Sequence, residues 1–229
     1  SLLLLDVTGI AYAAIPEGTV TRTAGQAVAI GSGSWTDAPG AVVVGASSKA
    51  TGGVKGIAIG HTVVANGQDA IAIGSNSQAV TQGAALGRLA NAGSSATALG
   101  NQATASGTSS VAAGDGANAK SEASVAIGKN SVVEREKGIS IGENATATTN
   151  STQAIAIGVS SVSNGTNSTA IGTNARGGYI DSVALGTDAN ASNFQAISIG
   201  KNSVNGAIAG VAMGSGSTVG GWADNAIAI

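Results

Sequence analysis

A four-residue pattern recurs along the chain: a β-branched residue, a small residue, an aliphatic residue and glycine. It closes at fourteen glycines, which are 13 to 16 residues apart and most often 14, and a fifteenth copy stops before its glycine. The first position is β-branched in fourteen of the fifteen copies, and the second is alanine in twelve. Alternation of period two with β-branched residues predicts a short strand in each copy. Recurrence at one length predicts a stack of similar coils.

Each glycine marks the end of this predicted strand. A glycine in every complete copy indicates a tight corner with positive φ, and asparagine, which tolerates a left-handed turn conformation, often follows two residues later. The corner glycines include Gly31, Gly60, Gly74, Gly100, Gly128, Gly142, Gly172 and Gly200. Beyond each corner, small residues alternate with variable ones, which predicts a second strand with one inward face.

One coil is therefore a strand, a glycine corner, a second strand and a return turn. Two strands of about five residues and two tight turns account for about 14 residues, and stacking at about 4.8 Å per coil gives parallel ladders along a rod of roughly 70 Å. The chain has 43% apolar residues but five aromatics in 229 residues, which indicates a thin core filled by small side chains. Spacings that depart from 14 are expected in turns.

The small residue at the middle of each triplet predicts an oligomer. If its β-branched and aliphatic neighbours point into the coil, it points outward, and a residue that stays small at an outward position implies a close neighbouring chain. The predicted trimer interface comprises Ala29, Ala58, Ala72, Ala98, Ala126, Ala156, Ala184 and Ala212. The opposite orientation would leave an aliphatic stripe exposed, and this also requires association.

Two segments carry a resemblance to a known family. Ser124-Val125-Ala126-Ile127-Gly128-Lys129-Asn130-Ser131 and Gln153-Ala154-Ile155-Ala156-Ile157-Gly158 resemble the head repeat of YadA-like trimeric autotransporter adhesins, and the likeness covers residues 24–229. The resemblance implies an all-β, left-handed parallel β-roll, trimerised lengthwise. Residues 1–23 depart from the pattern and are assigned to an irregular N-terminal segment, a candidate cap.

The same resemblance implies a function. It predicts a head anchored to the outer membrane of a Gram-negative bacterium through a C-terminal region outside this sequence, with neck and stalk also outside it. It implies attachment to host matrix, cells or abiotic surfaces, often with virulence, autoaggregation or biofilm formation. Because many weak contacts repeat on identical coils and three chains, attachment is expected to be multivalent.

Composition argues against other classes of function. The net charge of −2 provides no basic patch for nucleic acid or an anionic membrane, and the absence of cysteine excludes thiolate metal sites. The single histidine, His61, is expected in a solvated corner, and Glu134-Arg135-Glu136-Lys137 in a solvated return turn. We expect no catalytic residue, metal or cofactor, and no direct membrane contact by this segment.

Four aromatic residues are candidate ligand contacts because a thin core cannot accommodate them. Trp35 falls at an outward position of a second strand, and Tyr179, Phe194 and Trp222 fall between strands. The competing interpretation is that they cover a turn or an end of the roll.

Three alternatives to an adhesin make different demands on the sequence. A hexapeptide-repeat acyltransferase requires a six-residue period and a histidine at a subunit interface, and an ice-binding solenoid requires a ladder of threonines. The 14-residue period and the mixed outward residues fit neither. A passive spacer that projects another binding domain stays open.

Overall fold

The computed structural model describes residues 20–21, 26–148 and 152–229, and all its regular elements are short strands. Sheet A has sixteen strands and sheet B has fourteen. The strands of sheet A are β1 (Val20–Thr21), β2 (Val28–Ile30), β4 (Val42–Val44), β6 (Ile57–Ile59), β8 (Ile71–Ile73), β10 (Ala84–Leu86), β12 (Thr97–Leu99), β14 (Val111–Ala113), β16 (Val125–Ile127), β18 (Ile139–Ile141), β20 (Ile155–Ile157), β22 (Thr169–Ile171), β24 (Val183–Leu185), β26 (Ile197–Ile199), β28 (Val211–Met213) and β30 (Ile227–Ala228). Those of sheet B are β3 (Trp35–Thr36), β5 (Lys49–Thr51), β7 (Val64–Asn66), β9 (Gln78–Val80), β11 (Asn91–Ala92), β13 (Thr104–Ala105), β15 (Asn118–Ala119), β17 (Val132–Val133), β19 (Thr146–Ala147), β21 (Val162–Ser163), β23 (Arg176–Gly177), β25 (Asn190–Ala191), β27 (Val204–Asn205) and β29 (Thr218–Val219).

The chain alternates between the two sheets, so each coil contributes one strand to each. From β2 onward neighbouring strands of sheet A are parallel and in register, as are those of sheet B: Val125, Ala126 and Ile127 of β16 align with the triplet of β18. Backbone bonds such as Val125 N–H to the Gly138 carbonyl (2.9 Å) join one coil to the next along the axis of the stack. The prediction of an all-β parallel solenoid with two short strands per coil is confirmed; its left-handed sense stays a prediction.

The corner between the two sheets depends on glycine. All fourteen repeat-closing glycines, including the eight named above, have φ between +119° and +139°, a region that side chains disfavour. A Cβ on Gly128 would lie 2.6 Å from the carbonyl oxygen of Gly142 in the next coil, so the stacking distance itself excludes a side chain. The predicted left-handed asparagines are also present, as at Asn130 with φ of 54°.

The predicted orientation of the triplet is wrong. All eight alanines assigned to the trimer interface are 0% exposed within a single chain, so their side chains lie inside the roll and cannot contact another chain: Ala29, Ala58, Ala72, Ala98, Ala126, Ala156, Ala184 and Ala212. Their neighbours point outward; Ile127 is 39% exposed and Leu99 is 52% exposed. The structure has the opposite orientation, which leaves the aliphatic residues outside.

The thin core explains this orientation. Inward residues of both sheets are small, and valines such as Val43, Val63 and Val133 are the largest hydrophobic side chains that are fully buried. The glycine corner is a tight turn, closed for example by a hydrogen bond from Ser131 N–H to the Gly128 carbonyl (3.2 Å). This turn holds the two sheets close together. Packed sheets with ordinary side chains lie about 10 Å apart, and inward isoleucines would require that separation. Alanine and serine therefore fill the interior.

Length variation is confined to the return turn. The 16-residue coil that starts at Gly142 has seven residues between Ala147 of β19 and Ile155 of β20, whereas the 14-residue coil before it has five between Val133 and Ile139. The expectation that unusual spacings fall in turns is confirmed. Of the two turns in each coil, only the return turn changes length. Of the predicted N-terminal segment, residues 1–19 and 22–23 lie outside the described part; β1 pairs antiparallel with β2 at one end of sheet A.

Candidate functional surfaces

The outer face of sheet A is a continuous aliphatic surface. Fifteen triplets place two side chains each on this face; Thr97 and Thr169 are its polar members, and no triplet contributes a charge. At about 4.8 Å per coil, with roughly 10 Å of width, this face measures roughly 700 Å². A typical monomer exposes at most a few hundred Å² of contiguous apolar surface. The face therefore has the extent and composition of an interface.

The outer face of sheet B is mixed in composition. Successive strands present Trp35, Lys49, Gln78 and Arg176 among asparagines, threonines and valines. Neighbouring coils pair across this face, as where Thr51 Oγ1 of β5 donates to Asn66 Oδ1 of β7 at 3.4 Å. This face varies from coil to coil, so it can carry different contacts at different heights of the rod.

The edge formed by the glycine corners carries ladders of amides and carboxylates. Asn101 Nδ2 donates to Asp115 Oδ1 at 2.7 Å, and Asn174 Nδ2 donates to Asp188 Oδ1 at 3.0 Å one full coil away. His61 is exposed on this edge, and its Nδ1 lies 3.0 Å from Thr62 Oγ1, as expected for a solvated corner. These ladders join polar groups of successive coils.

The return turns form the opposite edge and hold the predicted charge cluster. Residues 134–137 lie between β17 and β18, and Glu134 is paired with Lys120 of the preceding coil. Each return turn contains a left-handed residue. The sequence did not predict these residues, because they include Ala123 and Lys137, with φ of 52° and 57°, rather than only glycine or asparagine. The closing hydrogen bond and the stacked coils impose the conformation despite the side chains.

The four candidate aromatic residues are all exposed, and two of them lie in contact. Trp35 lies on sheet B and is 46% exposed, whereas Trp222, in the last return segment, is fully exposed. Tyr179 and Phe194 belong to consecutive return turns, and their ring centroids are 5.1 Å apart with planes at 51°. The structure therefore brings Tyr179 and Phe194 together, far along the sequence from Trp35.

A pocket of about 530 Å³ adjoins this aromatic pair. Its described lining includes Thr148, Asn164, Gly165, Gly178, Tyr179 and Phe194, together with Thr166 and Ile180. Asn164 Oδ1 accepts a hydrogen bond from Thr148 Oγ1 at 2.9 Å across two coils. The pocket therefore combines aromatic rings with neutral polar groups.

Ile180 and Ile208 extend the aromatic pair and were missed in the sequence. They lie 14 residues on either side of Phe194, at the same position in successive coils, and all three are 44% exposed. Earlier coils place polar residues such as Thr108, Glu122 and Glu136 at this position. Aligning the return turns by their coils, rather than only the triplets, would have found this apolar column.

Within the described ranges, no group of three or more histidine, aspartate or glutamate side chains is arranged to hold a metal ion. No helix of sufficient length and apolar character to cross a membrane occurs there either.

The chain is similar to a known family of repeats and to one solved structure. The family model described as the YadA head domain repeat matches residues 23–48, 52–77, 65–84, 92–117, 105–131, 150–175 and 180–203, together more than half of the chain. The crystal structure of the collagen-binding domain of the Yersinia adhesin YadA is similar at 22% identity, over 79% of this chain and 68% of that one, with a TM-score of 0.29. No curated protein sequence matches. On the strength of its repeated matches, the chain belongs to the family of YadA head domain repeats.

Proposed function

We propose that this chain is the head of a homotrimeric surface adhesin of a Gram-negative bacterium. It would attach the cell to host matrix, host cells or abiotic surfaces through contacts repeated along the rod. The observation that carries the proposal is the contrast between a long uncharged aliphatic face on sheet A and varied polar surfaces elsewhere. Membership of the YadA head repeat family supports it.

The aliphatic face supports association of identical chains. Side chains such as Val42, Leu99, Ile127 and Met213 keep 38% to 52% of their surface exposed in one chain. Burying such area contributes about 25 cal/mol per Å², so a face of several hundred Å² favours a stable oligomer. Three rolls around one axis would direct this face inward and leave sheet B and the two edges to the solvent.

The exposed polar surfaces support an adhesive rather than a catalytic role. They vary from coil to coil and repeat about the proposed axis, which suits many weak contacts acting together. Autoaggregation, biofilm formation and virulence belong to the same proposal, as does anchoring in the outer membrane through a region outside this sequence. The alternative is a passive spacer, which would share the aliphatic face but bind nothing itself.

Two measurements on the purified 229-residue chain test the proposal. Sedimentation velocity should give three times the 21.6 kDa mass of one chain. Surfaces coated with collagen, fibronectin or laminin, cultured cells and bare plastic should then retain the protein on at least one of them. A stable single chain would refute the trimer, and a trimer that binds no surface would favour the spacer.

A further inference from the structure

We propose that the return-turn pocket beside Tyr179 and Phe194 binds a neutral saccharide. The inference rests on the proposed adhesin function and names a class of ligand for one part of the head. It concerns only Thr148, residues 164–166 and 178–180, and Phe194, and is independent of contacts made elsewhere on the rod.

The first argument is the placement of the aromatic rings. Five aromatic residues occur in 229, and the single phenylalanine contacts one of the two tyrosines at this pocket. Neither ring is needed by the core, which consists of alanine, serine and valine, and Tyr179 and Phe194 stay 46% and 44% exposed. Exposing two adjacent rings on a coil edge is unfavourable unless a ligand covers them.

The second argument is the shape of the pocket floor. Gly165 and Gly178 lie at return-turn positions that carry Arg135 and Glu134 in one coil and Gly107 and Gly93 in others. A Cβ on Gly165 would lie 1.9 Å from the backbone of Tyr179, so this glycine lets the Tyr179 turn lie directly above it. A recess of about 530 Å³ is lined by this turn and its neighbours, within the range of small-ligand sites.

The third argument is the chemistry of the lining. The described lining residues contribute hydroxyl, amide, aromatic and aliphatic groups and no charged side chain. Asp181, next in the chain to Ile180, accepts a hydrogen bond from Asn167 Nδ2 at 3.1 Å. A ring carries a negative face that attracts polarised C–H groups, and an amide held by Thr148 can donate through its Nδ2 group. A sugar ring offers an apolar C–H face and a rim of hydroxyls, which matches both features.

The test uses defined disaccharides and the intact 229-residue protein. Lactose, N-acetyllactosamine, chitobiose and mannobiose serve as neutral probes, 3′-sialyllactose as a charged probe, and a proline-rich peptide as a non-sugar probe. Saturation-transfer NMR should detect at least one neutral sugar, and calorimetry should then give its affinity. Tyr179→Ala and Phe194→Ala should each weaken that affinity about tenfold.

Controls separate the pocket from general effects. Tyr179→Phe keeps the ring, and its sugar affinity should stay within about threefold of the unaltered protein. Val159→Ala shortens a comparably exposed apolar side chain on the glycine-corner edge (48% exposed) and should leave the sugar affinity unchanged. Circular dichroism and sedimentation confirm that each variant keeps its fold and assembly. Binding of no neutral sugar, an equal loss in Val159→Ala, or binding of the peptide instead would overturn the inference. Retention on matrix or cells, measured in parallel, shows whether the adhesin proposal survives such a result.

Discussion

The outer faces of the two sheets come from the same coils but follow opposite rules. On sheet A the outward residues are aliphatic in nearly every coil, whereas on sheet B the corresponding positions range from Trp35 to Lys49 and Arg176. Both sheets enclose the same interior of small residues, and each is an in-register ladder. Neither packing nor backbone geometry therefore explains the difference in outward residues. Under the trimer proposal, the uniform face would meet the other chains and the varied face would meet solvent and ligands.

Charges placed on the two faces should give the largest difference. The double variant Ile127→Lys with Ile141→Lys puts two cations into the aliphatic face, where an unpaired buried charge is strongly unfavourable. We expect complete loss of the oligomer by sedimentation velocity, with a lower unfolding temperature. The matched variant Val132→Lys with Thr146→Lys changes the facing strands of sheet B and should keep both. Equal behaviour of the two variants would contradict the assignment of sheet A to the interface.

Substitutions at the inward and outward positions of one strand should differ in stability by a smaller amount. Ala126 is fully buried and Ile127 is outward, so Ala126→Ile forces extra atoms into a core that has no room for them. We expect about 1–3 kcal/mol of lost stability, measured by denaturant unfolding. Ile127→Leu adds no atom and should cost less than about 1.5 kcal/mol. If Ala126→Ile abolished assembly with no effect on unfolding, the alanine would be at the interface after all.

One interior serine offers a gain in stability. Ser140 Oγ is buried in β18 and has no hydrogen-bond partner among the described residues, at a position that is alanine in twelve coils. Ser140→Ala should raise the free energy of unfolding by about 1 kcal/mol, because it removes an unsatisfied buried hydroxyl. Ser198 is the control, since its hydroxyl is 2.8 Å from that of Ser203. A gain as large for Ser198→Ala would point to alanine propensity rather than to hydrogen bonding.

The smallest effect is expected on the return-turn edge. Lys120→Ala removes the ion pair with Glu134, whose partners are 44% and 25% exposed. Such surface pairs contribute about 0–1 kcal/mol and are screened by salt. Thermal unfolding at low and high salt should show a shift that is small and disappears with added salt. A large loss that persists at high salt would indicate that the return-turn edge tolerates substitution no better than the aliphatic face of sheet A.

The repeat allowed much of the fold to be predicted, because a fixed period constrains every coil at once. The corner glycines, the left-handed asparagines and the two strands per coil were all recoverable from position and spacing. The orientation of the triplet was not, because Val125-Ala126-Ile127 alternates equally well with either face inward. What decides it is the separation of the two sheets, and the corner turn sets that distance. Ile180 and Ile208 were not predicted because the return turns vary in length and sequence, so their equivalent positions in successive coils are not apparent from the triplets alone.

The parallel register has a mechanical consequence. The hydrogen bonds between coils run along the axis of the stack, so tension applied at the two ends of the chain loads them one layer at a time. Release of one 14-residue coil would turn about 4.8 Å of rod into roughly 48 Å of extended chain. A rod of this construction would lengthen stepwise under force and dissipate work with each step. Under the adhesin proposal, this would protect an attached cell against a sudden pull.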